Sequence, residues 1–281
     1  MKRLRIEHET GFRYPSDVTA SYNEVRMTPV TTERQLVMTT SLDIAPHTAV
    51  STYVDYFGTH VAAFEVLTAH DDLTITARSV VEVRPRDLEP VDLTWAELAA
   101  AAAAAVPTVE QIAQTPRTEP HEEVRAIAAG IAAAEANPDR AAQEILRAVA
   151  ARVRYVPGAT DVSTTAADAW AAGEGVCQDI THIALGALRS VGIPARYVSG
   201  YLHPQAEPAI GETVTGESHA WVEWFAGEWR GWDPTNAIEI CDRHVQVGRG
   251  RDYTDVPPLR GVYAGPSGSE LGVRVAITRE A

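Results

Sequence analysis

Trp170-Ala171-Ala172-Gly173-Glu174-Gly175-Val176-Cys177-Gln178-Asp179 is the stretch on which the reading of this chain turns. Its two closely spaced glycines let the backbone bend sharply, because glycine tolerates left-handed dihedrals without steric cost. Beyond it the spacing becomes helical. Ile180, Ala184, Ala187, Leu188 and Val191 fall at offsets of four, seven, eight and eleven, and Gly192 with Pro194 supplies the stop. Cys177 is thereby predicted at the N-terminus of a helix. The unpaired amides and positive dipole end there favour sulfur as thiolate, which is how a protein makes a thiol nucleophilic near neutral pH. A small buried cysteine in a loop is the structural alternative for this segment taken alone.

A thiolate needs a proton acceptor, and among nine histidines His219 is set apart by its context. Ser218-His219-Ala220-Trp221-Val222-Glu223-Trp224-Phe225 reads as a strand that turns at Ala226-Gly227 and returns as Glu228-Trp229-Arg230-Gly231-Trp232-Asp233-Pro234. With Phe225-Ala226-Gly227 as a three-residue loop and Gly227 left-handed, Trp224 pairs with Glu228 and His219 faces Asp233 on the same side, with Cβ atoms roughly 5 Å apart. A two-residue turn would put Pro234 opposite His219 instead. A cysteine facing a histidine that is held by a carboxylate is the nucleophile, base and orienter of acyl-transfer enzymes. A His–Asp bond that merely staples the hairpin is the competing reading.

The rest of the chain sets the frame. At 281 residues, with 45% hydrophobic and 22% charged, it can bury one large core or two modest ones, which argues against disorder or a fibre. Its 24 Lys and Arg against 38 Asp and Glu give a formal charge of −14. That charge repels phosphate backbones and anionic lipid, so neither nucleic acid nor a membrane surface is an expected partner, and a neutral or cationic substrate suits it better. No run approaches the roughly 20 apolar residues of a membrane helix. Met1-Lys2-Arg3-Leu4-Arg5-Ile6-Glu7-His8-Glu9 carries charge where a secretion signal would be apolar, so the expected location is cytoplasmic, with Cys177 and Cys241 as free thiols.

From Leu4 to about Arg86 the sequence alternates in the strand manner, as in Ser41–Ala45, Leu73–Ala77 and Val80–Val83, with Pro15, Pro29, Pro46 and Phe57-Gly58 as punctuation. This predicts an antiparallel β domain over residues 1–88, with a second domain over 89–281. Thr94-Trp95-Ala96-Glu97 has capping-box spacing ahead of Ala99–Ala105, which predicts a short helix ended by Pro107. Helices are also predicted over about Pro120–Glu135 and from Asn137-Pro138-Asp139 onward, where Ile145, Leu146, Val149 and Val153 share a face. The class is α+β.

Four ordered motifs then resemble the core of the transglutaminase-like superfamily: Gly175–Asp179, Gly192–Tyr201, Ser218–Glu223 and Trp232–Asn236. More narrowly they resemble its bacterial branch of cysteine-protease-like proteins with an N-terminal β domain, which His8–Tyr14, Asp55–Thr59 and Gly250–Pro258 also resemble. The resemblance implies a papain-like α+β core, with the cysteine helix packed on an antiparallel sheet that carries the histidine and the aspartate. It implies Cys177 as nucleophile, His219 as general base and acid, and Asp233 as orienter. Thr59 stands where the family usually has asparagine, and no catalytic meaning is attached to it.

Weaker candidates surround this set. Tyr155 and Gln178 are candidate oxyanion or substrate-binding donors beside the backbone amide of Cys177. Thr160–Ala166 matches a family stretch, although crowded hydroxyls more often make turns and caps. Trp221, Trp224, Trp229 and Trp232 either wall a substrate groove or form core. Asp179 and Glu217 either border the site and repel anions or are solvated charges. His182, His203 and the two cysteines have no metal-site spacing, so no metal or cofactor is expected. Cys241 lies beside carboxylates that would discourage a thiolate, and no role falls to it. The expected function is acyl transfer from a peptide or protein substrate, with hydrolysis favoured over transamidation. A retired scaffold that binds peptides without turnover is the alternative.

Overall fold

The computed structural model describes residues 1–85, 89–216, 218–265 and 268–281. Strands β1 (Lys2–Val18), β2 (Ala20–Val25), β3 (Gln35–Ala45), β4 (Val50–Val54), β5 (His60–Val66) and β6 (His70–Val83) come first. A helical stretch follows: α1 (Trp95–Ala103), α2 (Val106–Val109), α3 (Glu122–Ala134), α4 (Pro138–Arg152), strand β7 (Arg154–Tyr155), α5 (Ala166–Ala172), strand β8 (Glu174–Gly175) and α6 (Cys177–Ser190). The chain closes with β9 (Ala195–Leu202), β10 (Thr213–Gly216), β11 (Ser218–Phe225), β12 (Trp229–Asp233), β13 (Ile238–Glu239), β14 (His244–Gly250), β15 (Leu259–Ala264) and β16 (Glu270–Arg279).

The alternating stretches behave as strands because one face is buried. In β6, Leu73, Ile75, Ala77, Val81 and Val83 point inward, and a slip of one residue would turn that whole set to solvent. The helix signals act as their chemistry requires. Thr94 and Glu97 close a reciprocal capping box. The side chain of Asn137 accepts from the amides of Asp139 and Arg140 at the start of α4. Pro107 does not end the alanine helix; α1 stops at Ala103, and Pro107 sits in the first turn of α2, where its missing N–H leaves no bond unmade.

Among the described residues the strands form three larger sheets and the two-stranded parallel pair β7-β8. One has the order β10-β16-β1-β6-β3, the second β15-β2-β5-β4, and the third, which carries the site, β13-β12-β11-β9-β14. A division of the chain at one point, 1–88 against 89–281, does not follow these sheets. Residues 86–88, at that boundary, lie outside the described residues. Of the late strands, β10 pairs with β16 and β16 with β1 in one N-terminal sheet, and β15 pairs with β2 in the other. The physical reason is that β1 and β2 would otherwise present unpaired edges, and only the end of the chain returns to cover them.

Helix α6 is the spine of the second part. Ile180, Ala184, Ala187 and Leu188 are buried in one core with Ile145, Leu146 and Val149 of α4 and Ala220, Val222 and Trp224 of β11. The site-bearing sheet is clamped on its other side as well. Tyr201, Val245 and Val247 share a cluster with Leu4, Ile6, Val81 and Val83. Gly200 sits at the centre of that sheet, between His219 on β11 and Gln246 on β14. A Cβ there would lie 2.0 Å from the Val245 carbonyl and 2.7 Å from the Trp221 ring. Gly200→Ala is therefore expected to lower stability by about 3 kcal/mol or more, since backbone on one side and a packed indole on the other cannot both yield. A urea midpoint within error of wild type would contradict this.

Candidate active site

Cys177 is the first residue of α6, where a helix end favours negative charge. The turn that delivers it is fixed by Asp179, whose carboxylate accepts from the Val176 amide at 2.8 Å and from the Thr160 hydroxyl. Asp179 is fully buried, and burial raises its carboxyl pKa against the pull of those two bonds. It is thus an internal cap for the cysteine turn and not a solvated charge. Glu217, grouped with it above, lies outside the described residues. Ahead of this turn a short helix went unread: α5, with Thr165 and Asp168 in a capping box and Gly173 left-handed at its end.

The hairpin brings the other two residues. Its loop is Ala226-Gly227-Glu228, so Phe225 pairs with Trp229 and Trp224 with Arg230, two residues beyond the expected register. Gly227 is left-handed, with φ +84, but at the middle of the loop and not at its end. An offset of two preserves faces because side chains alternate with period two. Asp233 therefore meets His219 as a diagonal neighbour rather than a directly opposed one, with His219 Nε2 to Asp233 Oδ2 at 2.7 Å. The sulfur of Cys177 lies 4.0 Å from the carbonyl of Ser218, the residue that precedes His219.

Asp233 has no exposed surface, yet its carboxylate is fully satisfied. Oδ1 accepts from the amides of Thr235 and Asn236 at 3.0 and 3.1 Å. Oδ2 accepts from the Asn236 side chain at 2.8 Å and faces His219 and His244. Ala237, left-handed at φ +53, closes the turn that aims those amides. Burial would raise the Asp233 pKa, but bonds from the two imidazoles hold it well below the usual carboxylate range. Burial would likewise lower His219; bonds to Asp233 and Cys177 and their negative charge outweigh it and raise the pKa from 6.5 to about 10.

These two shifts fix the pH dependence of stability. A raised histidine contributes fully below its unfolded value of 6.5 and loses that contribution as pH climbs toward about 10. A depressed aspartate contributes above its unfolded value of 3.8 and loses it as pH falls. The urea midpoint is expected to fall on the alkaline side of pH 6.5, and His219→Ala to flatten that fall. Parallel pH curves for the two proteins would contradict the assignment.

The weaker candidates divide. Tyr155 lies beside Gly175 in the parallel β7–β8 pair, two residues before the cysteine, with 45% of its surface exposed. Gln178 is buried, and its Nε2 has no hydrogen-bond partner among the described residues. Trp221 and Trp224 are core, and Trp224 Nε1 donates to Asp139 of α4 at 2.9 Å. Trp221, Trp229 and His244 line a cavity of about 660 Å³ between this sheet and the 31–35 segment, and neither Cys177 nor His219 lines it. His182 and His203 are fully buried and join no metal-ligand grouping among the described residues.

Two site residues escaped the sequence reading. Asn236 was quoted within a motif without a role. His244, fully buried, approaches Asp233 Oδ2 at 3.3 Å from β14. Ligand atoms of His219, Asp233 and His244 lie within 4.8 Å of one another, but each is already engaged in the hydrogen bonds above, which account for the cluster without an ion. Cys241 requires a correction. Both cysteines are free, and although burial opposes it, a bond to His244 lowers the Cys241 thiol pKa to about 7. The neighbour that decides is an imidazole 3.6 Å away, not the carboxylates adjacent in sequence.

Comparison with known proteins agrees with this architecture. Residues 4–82 match the bacterial transglutaminase-like N-terminal region, and residues 125–236 match the transglutaminase-like superfamily. An uncharacterized protein of Mycobacterium leprae is 42% identical, covering 99% of each chain. An uncharacterized protein of Mycobacterium tuberculosis is 36% identical, covering 98% of this chain and 92% of its own. A crystal structure from Cytophaga hutchinsonii, provisionally named a cysteine protease, superposes with TM-score 0.78 at 18% identity, over 99% of this chain and 90% of that one. The chain belongs to the transglutaminase-like superfamily. Its fold and family support a cysteine-dependent enzyme, and no described helix is long and apolar enough to cross a membrane.

Proposed function

We propose that the protein catalyses acyl transfer from a peptide or protein carboxamide through a thioester on Cys177. The observation that carries this is the single row of groups at the head of α6: a thiol at a helix N-terminus, then an imidazole, then a buried carboxylate bonded to the imidazole at 2.7 Å. Asp233 occupies Nε2 of His219, which leaves Nδ1 as the ring atom available to the sulfur. His219 takes the thiol proton, sulfur attacks the carbonyl carbon, and the imidazolium returns the proton to the departing amine. Water or a second amine then resolves the thioester, with His219 again carrying the proton. The oxyanion would be met by first-turn amides of α6 and by Gln178, whose buried Nε2 has no partner among the described residues. Tyr155 is the second side-chain candidate.

Hydrolysis is the favoured outcome, because water is present everywhere and transfer to an amine demands a groove that excludes it. The formal charge of −14 favours neutral or cationic substrates. The test is a peptide and isopeptide library screened with wild type and Cys177→Ala side by side, with a labelled amine added in one arm. Cleavage without amine incorporation supports the hydrolase reading, and incorporation would replace it with transamidation. Activity that survived Cys177→Ala would overturn both.

A further inference from the structure

We propose that His244 is a positioning residue for this site: a second imidazole that donates to Asp233 and so sets the orientation and charge of the carboxylate that holds His219. This rests on the reading of Cys177, His219 and Asp233 as the reacting set.

The backbone amide of Cys241 points at His244 Nδ1 at 3.2 Å. An amide N–H can only donate, so while Cys241 remains a thiol Nδ1 is the unprotonated nitrogen, and only ionisation of that thiol, 3.6 Å away, would draw a proton to Nδ1. The ring proton of neutral His244 therefore sits on Nε2, the atom that faces Asp233 Oδ2 at 3.3 Å. Backbone geometry has thus chosen the tautomer that donates to the carboxylate. The ring is held in that pose by Trp221, edge-on at 5.3 Å, and by complete burial. Asp233 Oδ2 consequently lies between two imidazoles, one oriented by the protein and one free to exchange a proton with sulfur.

The consequence is specific. A fixed neutral donor stabilises the carboxylate as an anion without competing for the proton that His219 must carry, and it pins Oδ2 so that His219 keeps Nε2 toward it and Nδ1 toward Cys177. Without that donor Asp233 protonates more readily, and the acid limb of activity moves toward neutral pH. Other charges can reach His244. Cys241 lies 3.6 Å from Nδ1, and Glu33, Arg34, Arg196, Glu223, Glu228 and Arg249 line the cavity that His244 also lines. Because those residues are present in every variant, the test compares changes at position 244 alone.

Glutamine and asparagine separate the two ends of the ring. His244→Gln places an amide N–H near the Nε2 position and keeps the donor to Asp233. His244→Asn places an amide near the Nδ1 position, satisfies the Cys241 amide and fails to reach the carboxylate. The readouts are the rate of Cys177 carboxymethylation by iodoacetamide against pH, located by peptide mass mapping, and the titration of His219 by nitrogen-detected NMR. Neither needs a substrate. The expected result is a rate about 10- to 100-fold lower at neutral pH in His244→Asn, with its acid limb shifted upward, and His244→Gln close to wild type. Equal profiles for wild type and His244→Asn, or equal defects in both folded variants, would overturn the proposal. If instead the wild-type protein shows no Cys177 reactivity linked to His219, the proposed function fails first, and the two failures are distinguishable.

Discussion

Replacing Cys177 with alanine is expected to lower turnover by about 10⁴-fold or more, a barrier increase of roughly 5.5 kcal/mol, while leaving stability within about 1 kcal/mol of wild type. The two halves of that expectation have separate causes. Without sulfur there is no nucleophile for His219 to activate, and the helix-end amides and Asp233 can only bind. Stability is spared because Cys177 opens α6 as a half-buried first residue and alanine is the better helix former. Paired kcat/KM values and urea midpoints check both parts. A loss of activity accompanied by a collapse in the midpoint would mean that the thiol holds the fold rather than the chemistry.

Asp233→Asn is expected to cost activity about 10³- to 10⁴-fold and stability about 2–4 kcal/mol together. Asn is nearly isosteric, so the loss is electrostatic. Asp233 accepts through both oxygens: two backbone amides on Oδ1, and Asn236 with the two histidines on Oδ2. An asparagine turns one of those oxygens into a donor. If the amide nitrogen replaces Oδ1 it faces two N–H groups and the turn opens. If it replaces Oδ2 it forces His219 to accept at Nε2, which puts the proton on Nδ1 and leaves no base toward Cys177. The measurement is kcat with the nitrogen NMR spectrum of His219, where the second case appears as a change of tautomer. Near-normal kcat with the wild-type tautomer would contradict the role of Asp233.

What the sequence made legible was mostly local. The Cys177 helix could be read because glycines, a 3.6-residue apolar stripe and a Gly-Ile-Pro stop all lie within two dozen residues. The pairing of His219 with Asp233 survived an error in the loop, since a shift by two leaves every side chain on its face. A shift by one would have lost it. The unread features are those set by distance along the chain. Strand β16 joins β1 across more than 250 residues, and nothing in its own composition names that partner. His244 reaches Asp233 only because the chain crosses from β13, beside β12, to β14, beside β9 at the opposite edge of the same sheet, and Cys241 owes its environment to that same crossing rather than to Glu239 and Asp242 beside it. Asp179 stayed open between a charge bordering the site and a solvated one, because its capping role depends in part on Thr160, 19 residues upstream.

The most direct test of the central claim is acylation by p-nitrophenyl acetate with rapid quenching and peptide mass mapping. The account predicts an equimolar burst of p-nitrophenolate and an acetyl group on the peptide that carries Cys177, both abolished in Cys177→Ala and slowed in His219→Ala. Acetylation confined to Cys241 or to lysines, or a burst that persists in Cys177→Ala, would contradict it.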